Sequence, residues 1–411
     1  MNNRKFDSII IGFLVFNLGR AAYSLLQNDI LTALLCTLGW FFILYGWNGI
    51  KKTNNIKGNY KILLHFYLFV VIIMIIRGYM IDYPYIWVSA HGMINCHFFD
   101  TSYILPYIMP LLLLIPLGKV SFRKLIKWMI PFVIFGSFLN IYFFNDIVAE
   151  STLTAMGDVP EVQHYGFSTA FVTPFVFFLL CNKYISKNQL TLLLIATFLL
   201  AVVSAIAGRR GDTLIIVTYI AVALLMLYKE AGNVTKFFLI FAYGLIIILL
   251  VQFVFNSGLF SFIFERGLED TRSEAEESML SQMNTFQKIF GMGLNGRYYY
   301  PIRSFQDDYL NGWRYGIETG FFNLVLKGGY LMAILYVILL LIPSYYGIFK
   351  SNNQLCKAFG SFIFISVLEL YPFGWLSFNI KFLIIWIGIS MCMNPAYRKM
   401  DDNQIKNQIF R

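Results

Sequence analysis

Residues 207–212, Ala207-Gly208-Arg209-Arg210-Gly211-Asp212, separate two apolar segments of the chain, about 189–207 and 213–228. Two such segments joined by a few residues predict a helical hairpin. The second helix is expected to begin at about 212–213, next to the two arginines. The free N–H groups and partial positive charge of that helix end would add to the arginines and favour an anion.

The chain around this hairpin is strongly apolar. Hydrophobic residues make up 58% of it and charged residues 13%, and the mean hydropathy is +0.65. Many apolar runs reach the roughly 20 residues that an α-helix needs to cross a bilayer. The runs are continuous and lack the alternation of barrel strands, so helix is the predicted spanning structure. We therefore expect an all-α polytopic membrane protein, organised as one integral membrane domain over residues 1–411.

About twelve transmembrane helices are predicted from these runs. Their approximate ranges are 8–27, 30–50, 61–82, 102–118, 123–145, 164–182, 189–207, 213–228, 235–255, 318–342, 356–371 and 376–394.

Lysine and arginine concentrate in alternate connections, which indicates the orientation. They cluster at the N-terminus, near 51–61, 119–127, 183–187, 229–236 and 350–357, and in the C-terminal tail. By the positive-inside rule this side is the cytoplasm, so both termini are expected there. The net charge of +10 follows this pattern, and nucleic acid is not an expected partner. Arg209 and Arg210 then lie on the outer side, where basic residues are scarce, and we interpret this departure as functional.

One large external loop is predicted over residues 256–317, and arginine dominates its basic residues. The planar guanidinium suits phosphate recognition better than the lysine ammonium does. The candidate ligands for a diphosphate are therefore Arg209, Arg210, Arg297, Arg303 and Arg314. Residues 265–284 of the loop predict an amphipathic helix. The string Gly291-x-Gly293-x-x-Gly296 follows no strand, so it predicts a tight turn and not a dinucleotide site.

Five charged residues fall inside apolar segments. They are Arg20, Arg77, Lys327, Glu369 and Lys381. Such residues usually face a cavity or a partner. All lie in the outer half or near the middle, which predicts a cationic pocket open to the outer leaflet, with Lys327 as a substrate ligand. Arg20 and Arg77 taken singly are interpreted as side chains that reach the headgroups.

Three carboxylates are candidate catalytic bases: Asp307, Asp308 and Glu318. The alternative for the aspartates is a solvated pair that balances Arg303 and Arg314. The alternative for Glu318 is a favourable charge at a helix N-terminus. The four histidines and five cysteines show no metal-ligand spacing, so we expect no metal and no cofactor.

Taken together, these features resemble the O-antigen polymerase and ligase superfamily, and within it the polymerases (Wzy type). The resemblance rests on about twelve spans, the external arginine turn at 207–212, and a large external loop two spans later. That loop contains Phe290-Gly291-Met292-Gly293, and then Asp307-Asp308-Tyr309-Leu310 leading to Gly316-Ile317-Glu318-Thr319-Gly320. Ligases of the superfamily often carry a histidine where this chain has Asp307 or Asp308.

The resemblance implies a fold like that of the GT-C glycosyltransferases and a location in the bacterial plasma (inner) membrane. It implies that undecaprenyl-diphosphate-linked oligosaccharides serve as donor and acceptor, with the lipid bilayer and a chain-length regulator as further partners. In the expected reaction, the arginines bind the donor diphosphate and an acceptor hydroxyl attacks the anomeric carbon with inversion. Arg210, Asp308, Asp307 and Glu318 are the expected catalytic residues.

Three other functions remain open at the level of sequence. One is a structural scaffold of a polysaccharide export complex, which leaves the outer arginines unexplained. A ligase would move finished glycan to another acceptor with the same chemistry. A transporter or flippase for a lipid-linked or small anionic substrate fits twelve spans, but it normally has a midplane site with access from both sides.

Overall fold

The computed structural model describes residues 3–50, 56, 58–80, 94–149, 166–207, 209–230, 273–301, 312–371 and 374–410. The predicted span at 235–255 lies outside these residues. The described chain is helical apart from one two-stranded antiparallel ribbon, β1 (Tyr298–Tyr299) with β2 (Trp313–Arg314). The prediction of an all-α protein is therefore confirmed.

The helices are numbered in chain order. They are α1 (Asn3–Leu26), α2 (Asp29–Asn48), α3 (Asn59–Met80), α4 (Leu105–Ile108), α5 (Phe122–Tyr142), α6 (Gly166–Phe175), α7 (Lys187–Ile206), α8 (Arg210–Glu230), α9 (Ser273–Gln282), α10 (Thr285–Phe290), α11 (Gly320–Phe349), α12 (Gln354–Glu369), α13 (Ile380–Met393), α14 (Pro395–Lys399) and α15 (Asp402–Ile409). A π-helical turn covers Asn95–Phe99, and 3₁₀ segments cover Met109–Leu114, Leu117–Lys119 and Val176–Tyr184.

Within the described residues, seven helices are long and apolar enough to cross a membrane. They are α1, α2, α3, α5, α6 with the 3₁₀ segment that continues it, α7 and α11. Shorter apolar helices cover Leu105–Leu114, Gly211–Met226 and Ile380–Met393.

Long apolar strips on α2 and α3 are exposed. The exposed side chains include Ile30, Leu34, Leu38, Phe41 and Leu44 on α2, and Ile62, Phe66, Phe69, Ile72 and Ile76 on α3. Soluble proteins rarely expose continuous apolar surface of this extent, whereas helices in contact with lipid require it. With the spanning helices, these surfaces make the chain a multi-pass membrane protein.

Prolines explain where the helices depart from the predicted spans. The prediction of a continuous helix over 102–118 is wrong, because Pro106, Pro110 and Pro116 divide this stretch into α4 and two 3₁₀ segments. Proline has no N–H to donate and its ring clashes with the preceding turn. Pro174 stands at the change from α6 to the 3₁₀ segment for the same reason.

The chain divides into two compact units, which we describe separately. The first contains residues 1–23, 28–125 and 270–411, and the second contains 24–27 and 126–269.

Helix α11 is the centre of the first unit and packs against α3, α10, α12 and α13. Tyr60 of α3 donates to the carbonyl of Leu339 at 2.7 Å, and Ser344 donates to the carbonyl of Gly360 at 2.9 Å. A Cβ atom on Gly347 would lie 2.8 Å from the Cα atom of Gly360, so the backbones of α11 and α12 touch. Small residues at such crossings are typical of helix pairs in membranes, where packing provides much of the association energy.

The N-terminus of α12 is held by residues near the end of the chain. The side chain of Asn353 accepts from the N–H of Cys356 and donates to the carbonyls of Tyr397 and Met400, at 2.9, 2.8 and 3.0 Å. The N–H of Gln354 donates to Asp402 at 2.7 Å. These bonds satisfy N–H groups that a helix start leaves without an intrahelical partner.

The second unit is a set of packed helices. Phe132 of α5 stacks on Phe171 of α6 with ring centroids 4.6 Å apart, and Gly136 lies against Ser168 in the same contact. Helices α7 and α8 are neighbours, and both pack on the 3₁₀ segment Val176–Tyr184. The helical hairpin predicted on either side of residues 207–212 is confirmed.

A buried ion pair joins α12 to α13 in the first unit. Glu369, at the end of α12, is 3% exposed, and Lys381 of the first turn of α13 donates to its carboxylate. Each charge provides the partner that the other needs inside an apolar region.

We expect Lys381→Met to lower the free energy of unfolding by about 3–5 kcal/mol, because it removes the cationic partner of a buried carboxylate. Thermal unfolding of the purified protein in detergent measures this. The double variant Glu369→Leu/Lys381→Met removes both charges and should recover most of the loss. A single variant as stable as the unmodified protein would contradict the assignment.

Candidate functional site

The predicted arginine turn belongs to the second unit. Helix α7 ends at Ile206 and α8 begins at Arg210, two residues before the predicted start. The N–H of Arg209 donates to the carbonyl of Ser204 at 2.9 Å, and the carbonyl of Arg209 accepts from the N–H and hydroxyl of Thr213, both at 3.1 Å. Arg209 is half-buried. Gly208 and the side chain of Arg210 lie outside the described part of the protein.

In the first unit, α11 is interrupted at Gly329, whose φ of 72° and ψ of 178° are not helical. Backbone in that region is accessible almost only to glycine. A continuous helix would supply i+4 N–H donors to the carbonyls of Leu326 and Lys327. Here those carbonyls accept instead from the N–H groups of Met292 and Gly293, at 2.8 and 2.9 Å.

We call residues 291–296, which supply these donors, the glycine turn. Gly291 and Gly293 have φ values of 74° and 89°, so the predicted tight turn is confirmed. A Cβ atom on Gly291 would lie 2.2 Å from the carbonyl oxygen of Lys327, and no side chain fits there. Arg77, interpreted from the sequence as reaching the headgroups, instead donates to the carbonyls of Phe290 and Gly291 at 3.0 and 2.6 Å.

Lys327 fastens the glycine turn at two points. Its carbonyl accepts from Gly293, and its buried ammonium donates to the carbonyl of Gly296 at 3.0 Å. The side chain is 8% exposed. A buried ammonium requires polar partners, and the turn carbonyl is one of them.

A cavity of about 250 Å³ lies beside Lys327 in the first unit. Residues from the 94–107 segment, the glycine turn, the connection before α11, α11 itself and the connection before α13 line it. They are Asp100, Ser102, Tyr103, Tyr107, Leu294, Asn295, Tyr315, Gly316, Asn323, Lys327 and Trp375. Trp375 is 42% exposed, so the cavity reaches the protein surface at this side chain.

Hydrogen bonds fix the orientations of two side chains that line the cavity. Asn295 donates to the carbonyl of Gly78 at 2.9 Å and accepts from the hydroxyl of Tyr103 at 2.7 Å. Trp375 donates to the carbonyl of Ile317 at 2.6 Å. A ligand therefore meets side chains whose orientations are already set, which lowers the entropic cost of binding.

Two of the predicted arginines pack on aromatic rings near this cavity. The guanidinium of Arg297 lies 4.4 Å from the centre of the Trp313 ring and donates at 3.1 Å to the hydroxyl of Tyr315, a cavity residue. Arg314 lies 4.7 Å from the centre of the Tyr300 ring. Burial raises the pKa of the Tyr298 phenol to about 12, although the neighbouring Arg314, which bonds to it, acts in the opposite direction.

The predicted amphipathic helix is present as α9 within the described residues. It buries Ala275 and Met279, one turn apart. Its Glu276 accepts from the hydroxyl of Thr319, the residue before α11. Glu318, a candidate base, is exposed beside it. Helix α9 therefore ties the described part of the predicted external loop to the start of α11.

The remaining predicted site residues fall into two groups. Arg303, Asp307 and Asp308 lie outside the described residues. Arg209 and Arg210 belong to the second unit. In the part of the chain that the structure describes, no three histidine, cysteine or acidic residues lie close enough to hold a metal ion.

Sequence reasoning missed most of the cavity residues, among them Asp100, Asn323 and Trp375. Asn323 had a usable signal, because it precedes Lys327 by four residues in an apolar helix and so shares its face. Asp100 and Trp375 come from connections distant in sequence, and no local pattern places them beside α11.

A second, smaller cavity of about 170 Å³ lies in the first unit between α1, α2 and the π-helical turn. It is lined by Arg20, Tyr23, Asp29, Thr32, Ala33, Ile94 and Phe99. The guanidinium of Arg20 lies 5.9 Å from the centre of the Tyr23 ring.

These features define an all-α, multi-pass membrane protein with a polar, aromatic-walled cavity beside an interrupted helix. Comparison of the chain with protein-family models, with curated proteins and with solved structures finds no match.

We expect Gly329→Ala to destabilise the first unit strongly. The substitution combines an unfavourable backbone, which costs about 1–3 kcal/mol, with a Cβ atom only 2.1 Å from the carbonyl oxygen of Ile289. The matched control is Gly58→Ala, where φ is 65° but nothing lies within 4 Å of the added atom. Thermal unfolding should show a much larger loss for Gly329→Ala than for the control, and equal losses would contradict the described packing.

Proposed function

We propose that this protein is a bacterial polysaccharide polymerase of the O-antigen or capsule type. It joins undecaprenyl-diphosphate-linked oligosaccharide repeat units at the outer face of the plasma (inner) membrane. The proposal includes about twelve transmembrane helices in a GT-C-like fold, cytoplasmic termini, and a chain-length regulator as a partner. It rests on the family resemblance of the sequence and on the cavity beside Lys327.

The cavity is the observation that favours a glycan substrate. Lys327 is a buried cation in its wall, Asp100 is a carboxylate, and Trp375, Tyr107 and Tyr315 provide aromatic surface. Binding sites for small polar ligands typically combine apolar walls with a few oriented polar groups. Interrupted membrane helices are tolerated where they are buried or line a cavity, and many contribute to substrate sites.

The orientation predicted from the charges places this cavity at the outer face. Its residues come from the 83–101 and 256–317 connections, from the beginning of the predicted span at 102–118, and from the ends of α11 and α13 adjoining these connections, all assigned to that side. A carrier-linked glycan at the outer leaflet would have direct access there.

In the proposed reaction, Arg209, Arg210, Arg297, Arg303 and Arg314 are the ligands of the donor diphosphate. A hydroxyl oxygen of the acceptor attacks the anomeric carbon of the donor sugar and forms the new glycosidic bond. The bond from that carbon to the diphosphate breaks, and the diphosphate leaves with the electron pair. Guanidinium groups stabilise the charge that develops on it. A carboxylate, from Asp307, Asp308 or Glu318, takes the hydroxyl proton.

We expect Arg210→Ala to stop chain extension, because a diphosphate ligand is lost while the membrane helices are retained. The measurement is the length distribution of surface polysaccharide in a deletion strain that carries the variant. Arg210→Lys should restore little activity, since an ammonium does not bind phosphate through two parallel donors. Arg123→Ala, an exposed arginine at the predicted cytoplasmic end of α5, is the matched control.

A single repeat unit on the carrier or core, extended only by the unmodified protein, would support a polymerase. Full-length polymer that stays on the lipid carrier in the deletion strain would identify a ligase instead. The absence of lipid-linked repeat units at the outer face would identify a flippase. Polysaccharide of normal length with Arg210→Ala would contradict the role of Arg210.

We expect Lys327→Met to reduce polymer growth by roughly ten- to a hundredfold, the range for losing a hydrogen bond to a charged group. Lys357→Met, at an exposed lysine of α12, is the control. Thermal unfolding of both variants separates a loss of folding from a loss of activity. Normal polymer growth with a folded Lys327→Met protein would show that Lys327 does not contribute to the site.

A further inference from the structure

The side chain of Asn323 has an unusual environment in the cavity wall. Asn323 lies in the first turn of α11, where its N–H donates to the carbonyl of Thr319 at 2.9 Å. The residue is only 9% exposed, and its Oδ1 atom is buried and accepts no hydrogen bond within the protein. A buried acceptor without a donor costs about 1–3 kcal/mol. By contrast, both ends of the amide of Asn295, which also lines the cavity, are bonded.

The Oδ1 atom of Asn323 borders the space beside Trp375. A Cβ atom built on Gly316 would lie 3.6 Å from this oxygen and 3.2 Å from the Trp375 ring. Because Gly316 has no side chain, space remains between the Oδ1 atom of Asn323 and the Trp375 ring. Gly316, Asn323 and Trp375 all line the cavity.

The polar groups in this wall select the chemistry of a ligand. Asn323 offers an acceptor, and Asp100 offers a carboxylate, of which one oxygen accepts from the N–H of Ser102 at 2.7 Å. The diphosphate diester of a carrier-linked sugar is fully ionised near neutral pH and has no hydrogen to give to an acceptor, so it does not satisfy Asn323. A sugar ring offers several hydroxyl donors together with a C–H face that packs on an aromatic side chain.

The volume limits the ligand to one ring. At about 250 Å³ the cavity is smaller than the roughly 300–1,000 Å³ typical of pockets for drug-sized ligands. The remainder of an oligosaccharide would extend past the exposed Trp375.

We propose that Asn323 and Asp100 form a hydroxyl-binding subsite for a single neutral sugar ring, the terminal ring of the acceptor repeat unit. The assignment of this ring to the acceptor rests on the proposed polymerase function. The subsite itself rests on the unpaired Oδ1 atom of Asn323, the Asp100 carboxylate and the aromatic wall. Asn323 acts here as a specificity residue, because its Oδ1 atom favours a ring that has a hydroxyl donor at the matching position.

The test is direct binding of sugars to the purified full-length protein in lipid nanodiscs. Methyl glycosides of glucose, galactose and N-acetylglucosamine are titrated separately, and tryptophan fluorescence reports occupancy, with Trp375→Phe identifying the signal. We expect at least one glycoside to bind the unmodified protein. Asn323→Leu should weaken it about tenfold, as expected for a lost hydrogen bond, while Asn323→Asp, which keeps an acceptor, should retain binding.

Two further variants complete the design. Gly316→Ala leaves Asn323 in place but fills the space beside its oxygen, and it should also weaken binding. Asn140→Leu removes another buried amide without partners, in α5 and away from the cavity, and should leave binding unchanged. Thermal unfolding confirms that each variant is folded.

The outcomes separate this inference from the polymerase proposal. If no glycoside binds the unmodified protein, or if Asn323→Leu binds as tightly, water satisfies Asn323 and the subsite is refuted. If binding depends on Asn323 while the deletion strain still makes polymer of normal length, the subsite stands and the polymerase assignment fails. If Arg210→Ala blocks polymer growth and Asn323→Leu neither weakens binding nor shortens polymer, only the subsite fails.

Discussion

The donation of two backbone N–H groups from the glycine turn to the carbonyls of Leu326 and Lys327 is the contact on which the first unit depends. An interrupted helix in an apolar environment leaves carbonyls that no water can reach, and each unsatisfied group costs several kcal/mol. The glycine turn removes that penalty, and Arg77 and Lys327 satisfy carbonyls of the turn itself. The same contact brings Asn295 and Leu294 into the wall of the cavity.

The cavity therefore follows from the interruption of α11. Lys327 lies two residues before Gly329, and its side chain turns to the carbonyl of Gly296 across the gap that the interruption creates. Asn323, one helical turn earlier, lies on the same face. The interruption at Gly329, the buried Lys327 ammonium and the unpaired Oδ1 atom of Asn323 belong to one local arrangement. We therefore expect a substitution at any of these residues to alter the geometry of the other two.

The sequence was sufficient for most of the long helices and for the local turn, because both depend on neighbouring residues. Continuous apolar runs located α1–α3 and α11, and the spacing of Gly291, Gly293 and Gly296 identified a turn. The sequence alone did not predict the contacts between segments that are distant in the chain. The ion pair of Glu369 with Lys381 needs the antiparallel arrangement of α12 and α13, and Arg77 reaches residues more than 200 positions away. The prolines at 106, 110 and 116 are visible in the sequence, yet the apolar run over 102–118 was predicted to be one helix. The candidate bases Asp307 and Asp308 remain predictions.

The attachment of α12 to the C-terminal segment has a consequence for biosynthesis. Asn353 and Gln354 complete the first turn of α12 with Tyr397, Met400 and Asp402, which are translated more than forty residues later. While the ribosome still holds this tail, the N-terminus of α12 lacks these partners, although its apolar length has already been made. The final packing of the N-terminus of α12 therefore waits until residues 397–402 have also left the ribosome.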